Sequence, residues 1–354
     1  MSESGTLSAL IQEADFKLHW FDMGRRLQPV SKSTAEAFEA GQQVWPHPYL
    51  RQAWCGLLLQ PAEGGEPIVW FLRFPLDEQG KLQLSARDNL LRALAQELKQ
   101  GSASESAAQL DQLLQQSGLL FTPSTERQAT FHAHTGLLLK REPSAHYAAT
   151  LGYLHNPQES RWDNLALQGI ADLAVHWKNN KALLLRQLPH IAAPVLINLC
   201  HCLENESIDH QLAEAIAMCA RASLHSDIPD YAIIAAAVRG ISHSPAQGLR
   251  RTLLQELLQQ QTQQRPESTS PPIELLAAIG SRCPQDLQEQ ELAKLWLNAL
   301  AHSNNQSTFN LLLSDLMFLP LVRASLLGVL RNPAREEALA QAFGNFLHGP
   351  KPTH

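Results

Sequence analysis

The pattern of apolar residues predicts an α+β N-terminal domain, a small antiparallel sheet with flanking helices, followed by an all-α helical-repeat region. Three observations carry this. Residues 52–60 and 67–74 are nearly continuous apolar runs of strand length, separated by a segment containing Gly64-Gly65. From residue 162 to residue 258, four apolar patterns recur at helical spacing, each closed by polar or proline-containing punctuation. Similar patterns then continue almost to the C-terminus.

Taken in order, Thr6 is placed to cap a short amphipathic helix through Glu13, with Leu7, Leu10 and Ile11 on one side. Residues 16–21 alternate apolar with polar and read as a strand. Met23-Gly24-Arg25 turns the chain, and residues 27–30 return as a second strand. Residues 33–40 form a short capped helix ended by Gly41. The 52–60 and 67–74 hairpin is expected to be covered on both faces, because both runs are so apolar. Leu76-Asp77-Glu78-Gln79-Gly80 makes a second tight turn in which Gly80 can take positive φ.

Ser85 opens a helix carrying Leu90, Leu91, Leu94 and Leu98, with Gly101 where a C-terminal cap belongs. Residues 101–106 are small and polar, the natural place for a boundary. Helices follow at 107–116, 124–140 and from Pro143 to about 154. The resulting division is a sheet domain at 1–100, a helical connector at 101–160 and a helical-repeat domain at 161–349. In the last of these, Ile191, Val195 and Leu199 share one side of a helix, as do Leu212, Ala215, Ile216 and Cys219 of the next. Residues 259–272 are Gln/Ser-rich and read as an exposed connection, after which helices resume at 273–281, 287–301, 308–318, 321–330 and 334–346. Pairing successive helices gives a period of roughly 35 to 45 residues, overlapping the HEAT range. A HEAT-like α-solenoid is favoured over an irregular bundle, since short connections make successive helices antiparallel neighbours.

The 354 residues are 44% hydrophobic and 18% charged, ordinary for a globular protein. A formal charge of −6 argues against nucleic acid as a partner, since a phosphate-backbone binder normally shows a basic face. The sequence shows neither a signal-peptide pattern nor an apolar run of roughly 20 residues, so no membrane association is expected. Five cysteines without framework spacing point to reduced thiols and a cytoplasmic location.

Three stretches go together: Phe21-Asp22-Met23-Gly24-Arg25-Arg26, Trp45-Pro46-His47-Pro48-Tyr49-Leu50-Arg51-Gln52-Ala53-Trp54, and residues 70–80 beginning Trp70-Phe71-Leu72-Arg73-Phe74-Pro75. In these the chain resembles an uncharacterised family of gammaproteobacterial proteins, a domain of unknown function of about this length. The resemblance implies a bacterial cytosolic protein. It implies no activity, cofactor or catalytic residue.

Candidate chemistry is sparse. Asp77 and Glu78 sit side by side at a strand end, but general acid/base work needs two carboxyls in unlike environments, so the plainer reading is a turn former and an arginine partner. Asp22, Arg25 and Arg26, with Arg73 on the same sheet, suggest an anion pocket, because guanidinium forks match carboxylate and phosphate. An arginine tying strands to a neighbouring acid is the commoner arrangement. Trp45, Tyr49 and Trp54 have the chemistry to line such a cleft. On a helix, Cys200 and Cys202 of Cys200-His201-Cys202 diverge by about 200° and cannot share one ion. His132 and His134 would share a face only on a strand, with His146 as a possible third ligand; the segment reads as helical, where they diverge. Neither a metal, nor a cofactor, nor a catalytic residue is therefore assigned, and no phosphate loop, dinucleotide fingerprint or nucleophile elbow occurs. The expected role is a non-enzymatic scaffold or adaptor whose helical array meets a protein partner. The rival is an enzyme or anionic-ligand binder using Arg25, Arg26, Arg73, Asp77 and Glu78.

Overall fold

A computed structural model describes residues 5–100, 114–263 and 272–349. The 101–106 boundary, most of the 107–116 helix and much of the 259–272 connection lie outside the described residues. The chain separates into two compact units, Met1–Arg127 and Gln128–His354.

The first unit is built on a four-stranded antiparallel sheet in the order β2-β1-β3-β4, with β1 at Phe16–Asp22, β2 at Gln28–Val30, β3 at Gln52–Pro61 and β4 at Ile68–Pro75. Trp20, Leu57 and Trp70 stand level across three strands. Trp20 also meets Trp45 and Phe74, and the Trp45 ring meets Phe38 at a tilt, 4.8 Å between centres. These bulky side chains bury the face covered by α1 (Leu7–Glu13), α2 (Lys32–Glu39) and α3 (Leu84–Gln100). Thr6 caps α1 through the amide of Ala9. A second cap comes from α2: buried Glu39 accepts from Leu7 N at 2.7 Å and Ser8 N at 3.2 Å, tying the helices together. Gly80 takes φ of +85° in the turn after β4.

The expectation that the hairpin is covered on both faces fails for β4. Trp70, Leu72 and Phe74 are buried, but Ile68, Val69 and Arg73 are exposed. β3 is central and needs cover everywhere, whereas β4 is the outer strand and satisfies its apolar load on one side. Residues 119–121 run along its free edge, with Arg73 N donating to Leu119 O and Phe121 N to Phe71 O.

The second unit is helical throughout its described residues. After α4 (Thr125–Leu138) come α5 (Tyr147–His155), α6 (Leu167–Val175), α7 (Lys181–Gln187), α8 (Ala193–Leu203), α9 (His210–Leu224) and α10 (Tyr231–Gly240). They are followed by α11 (Gln247–Gln263), α12 (Ile273–Arg282), α13 (Gln290–His302), α14 (Gln306–Met317), α15 (Pro320–Leu330) and α16 (Glu337–His348). Helix α5 starts later than Pro143 suggests, because Ser144 N is held by Asp172 Oδ2 before the helical turn begins. Trp162 lies in a one-turn 3-10 segment and is exposed, so the regular helices begin after it.

Helices pack against the next but one. One row runs α6, α8, α10, α12, α14, α16, and the other runs α5, α7, α9, α11, α13, α15. Leucine, isoleucine and alanine at helical spacing, including Leu199, Leu203, Leu212, Ile216, Leu257 and Leu258, fill the space between and form one continuous core. Polar contacts repeat with the same period. Arg221 reaches Glu256 over 35 residues, Arg250 reaches Asp286 over 36, and Asn298 reaches Glu336 over 38. At these points the helices are tied by hydrogen bonds as well as by apolar burial.

Gly169 marks the tightest approach. A Cβ there would collide with Thr150 Oγ1 and sit 2.5 Å from His146 O, whereas one at Gly248 meets nothing. We expect Gly169→Ala to lower stability by about 1–3 kcal/mol despite alanine's better helix propensity. Gly248→Ala should raise it by about 0.4–1 kcal/mol. Denaturant melts of both variants check the pair, and stabilisation by Gly169→Ala would contradict the packing.

Candidate functional site

The loop after β1 gathers part of the arginine and carboxylate set marked in the sequence. Asp22 closes β1 fully buried, and its carboxylate accepts from Trp45 Nε1 at 3.1 Å, Gly24 N at 3.3 Å and Gln28 Nε2 at 3.4 Å. Arg127 holds the same loop by donating to the carbonyls of Met23, Gly24 and Arg25. Arg25 is buried; its Nε donates to Pro48 O, and its guanidinium lies 5.4 Å from the Tyr49 ring centre. Tyr49 adjoins Trp54, and exposed Arg73 lies over Trp54 at 5.8 Å. Arg25 and Arg73 thus belong to one chain of cation–ring contacts joined by the tilted Tyr49–Trp54 pair. Arg26 is partly exposed in the same loop.

Asp77 and Glu78 do different work. Asp77 accepts from Gln79 N at 2.9 Å and Lys81 N at 2.8 Å, so it shapes the turn. Glu78 is exposed and forms no ion pair among the described residues, contrary to the arginine partner expected for it. His134 meets Glu206 Oε1 at 2.8 Å, while His132 is exposed. Cys200 and Cys202 are both buried, and burial pushes the Cys200 thiol up. Among the described residues, no group of three or more His, Cys, Asp or Glu side chains could hold a metal ion.

The second unit contains an arrangement that the sequence reading missed. A cleft of about 310 Å³ opens in the row of α8, α10 and α12. Its floor is Ile197 with Ala235, Ala236, Ala277 and Ala278, the alanines leaving room between neighbouring helices, and exposed Ala232 lies on its rim. His201, Arg239, Ser281 and Arg282 stand at the C-terminal ends of the three helices, and Glu274 at the N-terminal end of α12. Beneath them lies Glu204, only 1% exposed. Arg239 grips it with Nε at 2.6 Å and Nη2 at 3.1 Å, and Arg282 Nε reaches the same carboxylate at 3.0 Å. Arg239 Nη1 also lies 3.2 Å from His201 Nε2; since arginine is the obligate donor, that nitrogen accepts and Nδ1 carries the proton. The signal available in the sequence was a charged residue closing successive apolar stripes, at Glu204, Arg239 and Arg282.

Burial pushes the Asp22 pKa up to about 7 from an ordinary 3.8, against the pull of its three N–H donors and of Arg127. The folded chain then keeps a proton that the unfolded chain releases, so this group's contribution to stability falls as pH rises from about 4 to about 7. Between about pH 5 and about pH 8 we expect a loss of about 3 kcal/mol that Asp22→Asn removes. Denaturant melts at the two pH values test it; identical pH slopes for both proteins would contradict it.

No curated protein and no solved structure matches the sequence. A family model described as protein of unknown function (DUF3549) matches residues 2–347, and the chain belongs to that family.

Proposed function

We propose that the protein is a non-enzymatic scaffold or adaptor, and that its helical unit is a HEAT-like array presenting the row of α6, α8, α10, α12, α14 and α16 to a protein partner. One observation supports this above others. Packing between next-but-one helices satisfies the core, yet the same row keeps a cleft with an apolar floor and charged ends. A surface needed only for stability would gain by closing that cleft with larger side chains. Apolar ground beside arginine is the usual composition of interface hot spots.

The reading needs no cofactor and no metal. A cytoplasmic setting in a bacterium fits it, as does the fact that no helix among the described residues is long and apolar enough to cross a membrane. The net charge of −6 favours a protein over a nucleic acid as the partner. A second reading places a small anionic ligand on the sheet unit, where Arg25 and Arg73 flank Tyr49 and Trp54.

Site-specific photo-crosslinking in cells separates the two. A photoreactive residue at Ala232 or Glu274, on the cleft rim, should give discrete adducts with another protein. The same residue at Met218, exposed on the opposite row, should not. Adducts from Met218 alone, or equally from all positions, would contradict the scaffold reading; a small-molecule adduct from position 73 would favour the ligand site.

A further inference from the structure

The geometry points to a specific occupant for the cleft between α8, α10 and α12: an extended internal segment of a partner protein that sets an aliphatic side chain on the alanine floor and an Asp or Glu carboxylate against Arg239. This rests on the scaffold reading and narrows it to a recognition chemistry.

Arg239 carries the inference. A guanidinium has five N–H groups. Three of those on Arg239 are engaged, two by Glu204 and one by His201. The other two have no hydrogen-bond partner within the described protein, and the side chain lines the cleft at 25% exposure. Glu204 cannot neutralise the end of the cleft by itself, since it is shared between two guanidiniums. A second carboxylate arriving from outside completes a pairing that the protein leaves half made, and a charge-assisted bond of this kind is among the stronger polar contacts.

The rest of the cleft fixes the length and character of the segment. Exposed Glu274 lies two turns from Arg282 along α12, roughly 10–12 Å, which is the span of about three extended residues. Alanine at positions 235, 236, 277 and 278 offers an apolar floor without side chains tall enough to fill it. A polyanion is disfavoured, because Glu274 would repel it at one end while Arg239 attracts it at the other.

The test is selection of a random peptide library displayed on phage against the full chain, followed by fluorescence anisotropy with the enriched peptide. We expect a consensus pairing an aliphatic residue with Asp or Glu two or three positions away. Replacing that acid by its amide should weaken binding about tenfold, as should Arg239→Lys, which keeps the charge but loses the fork. Ala277→Trp, which fills the floor, and Ala232→Arg, a change at an exposed position, should each weaken binding at least as much while leaving the circular dichroism spectrum unchanged. No enrichment over a bare bait, or a basic consensus, would overturn the proposal. Peptides bound equally by Ala277→Trp would also overturn it, while leaving the scaffold reading in place. If amidating a peptide's free C-terminus, rather than its internal acid, abolishes binding, the site takes chain ends and the assignment to an internal segment fails.

Discussion

A buried carboxylate holds three successive helices of one row. Glu204 ends α8, Arg239 reaches it from the last turn of α10, and Arg282 reaches it from the last turn of α12, 78 residues away. Burying a carboxylate is tolerable only when nearly every lone pair is met, and here at least three N–H groups meet it. The arginines also stand where three helices expose their unsatisfied C-terminal carbonyls, a position that favours positive charge. A second tie of the same kind joins α11 of the other row to the turn after α12, where buried Arg250 and Asp286 form a two-point contact at 2.5 and 3.1 Å and Arg250 Nη1 donates to Ser244 O. Apolar burial supplies most of the cohesion of such an array. It has little directional preference, and the ion pairs fix which rung faces which.

The same group explains why a cleft survives in the row. The guanidinium of Arg239 must stay near the surface for one edge to remain solvated while the other clamps Glu204. The neighbouring alanines keep larger side chains from covering it. In the docking proposed above, stability and recognition share Arg239, so an experiment on that residue needs the companion changes at exposed Ala232 and half-buried Ala277.

Much of the fold was legible. The paired apolar runs around Gly64-Gly65 mark the hairpin strands and the 3.6-residue stripes mark the buried sides of the helices, because those periods follow burial; the run of β4 overstates its cover, since an outer strand leaves Ile68 and Val69 exposed. Three polar ties in the helical unit span 35 to 38 residues, a separation that follows from the lengths of the helices between them. The site was less legible. Asp22 and Arg25 were picked out for their chemistry, but only coordinates show that Asp22 serves Trp45 and that Arg25 and Arg73 meet through Tyr49 and Trp54. Arg127 holds the loop from 104 residues away, a separation at which no local pattern operates. Glu204, Arg239 and Arg282 look like ordinary helix-end charges until the rungs are stacked; their meaning lies in juxtaposition.

Hydrogen exchange on Glu204→Gln tests the shared clamp most directly. If one carboxylate unites three rungs, the amides of α8, α10 and α12 lose protection together while α14 and α16 keep theirs. Loss confined to α8, or no change in any of the three, would contradict the account.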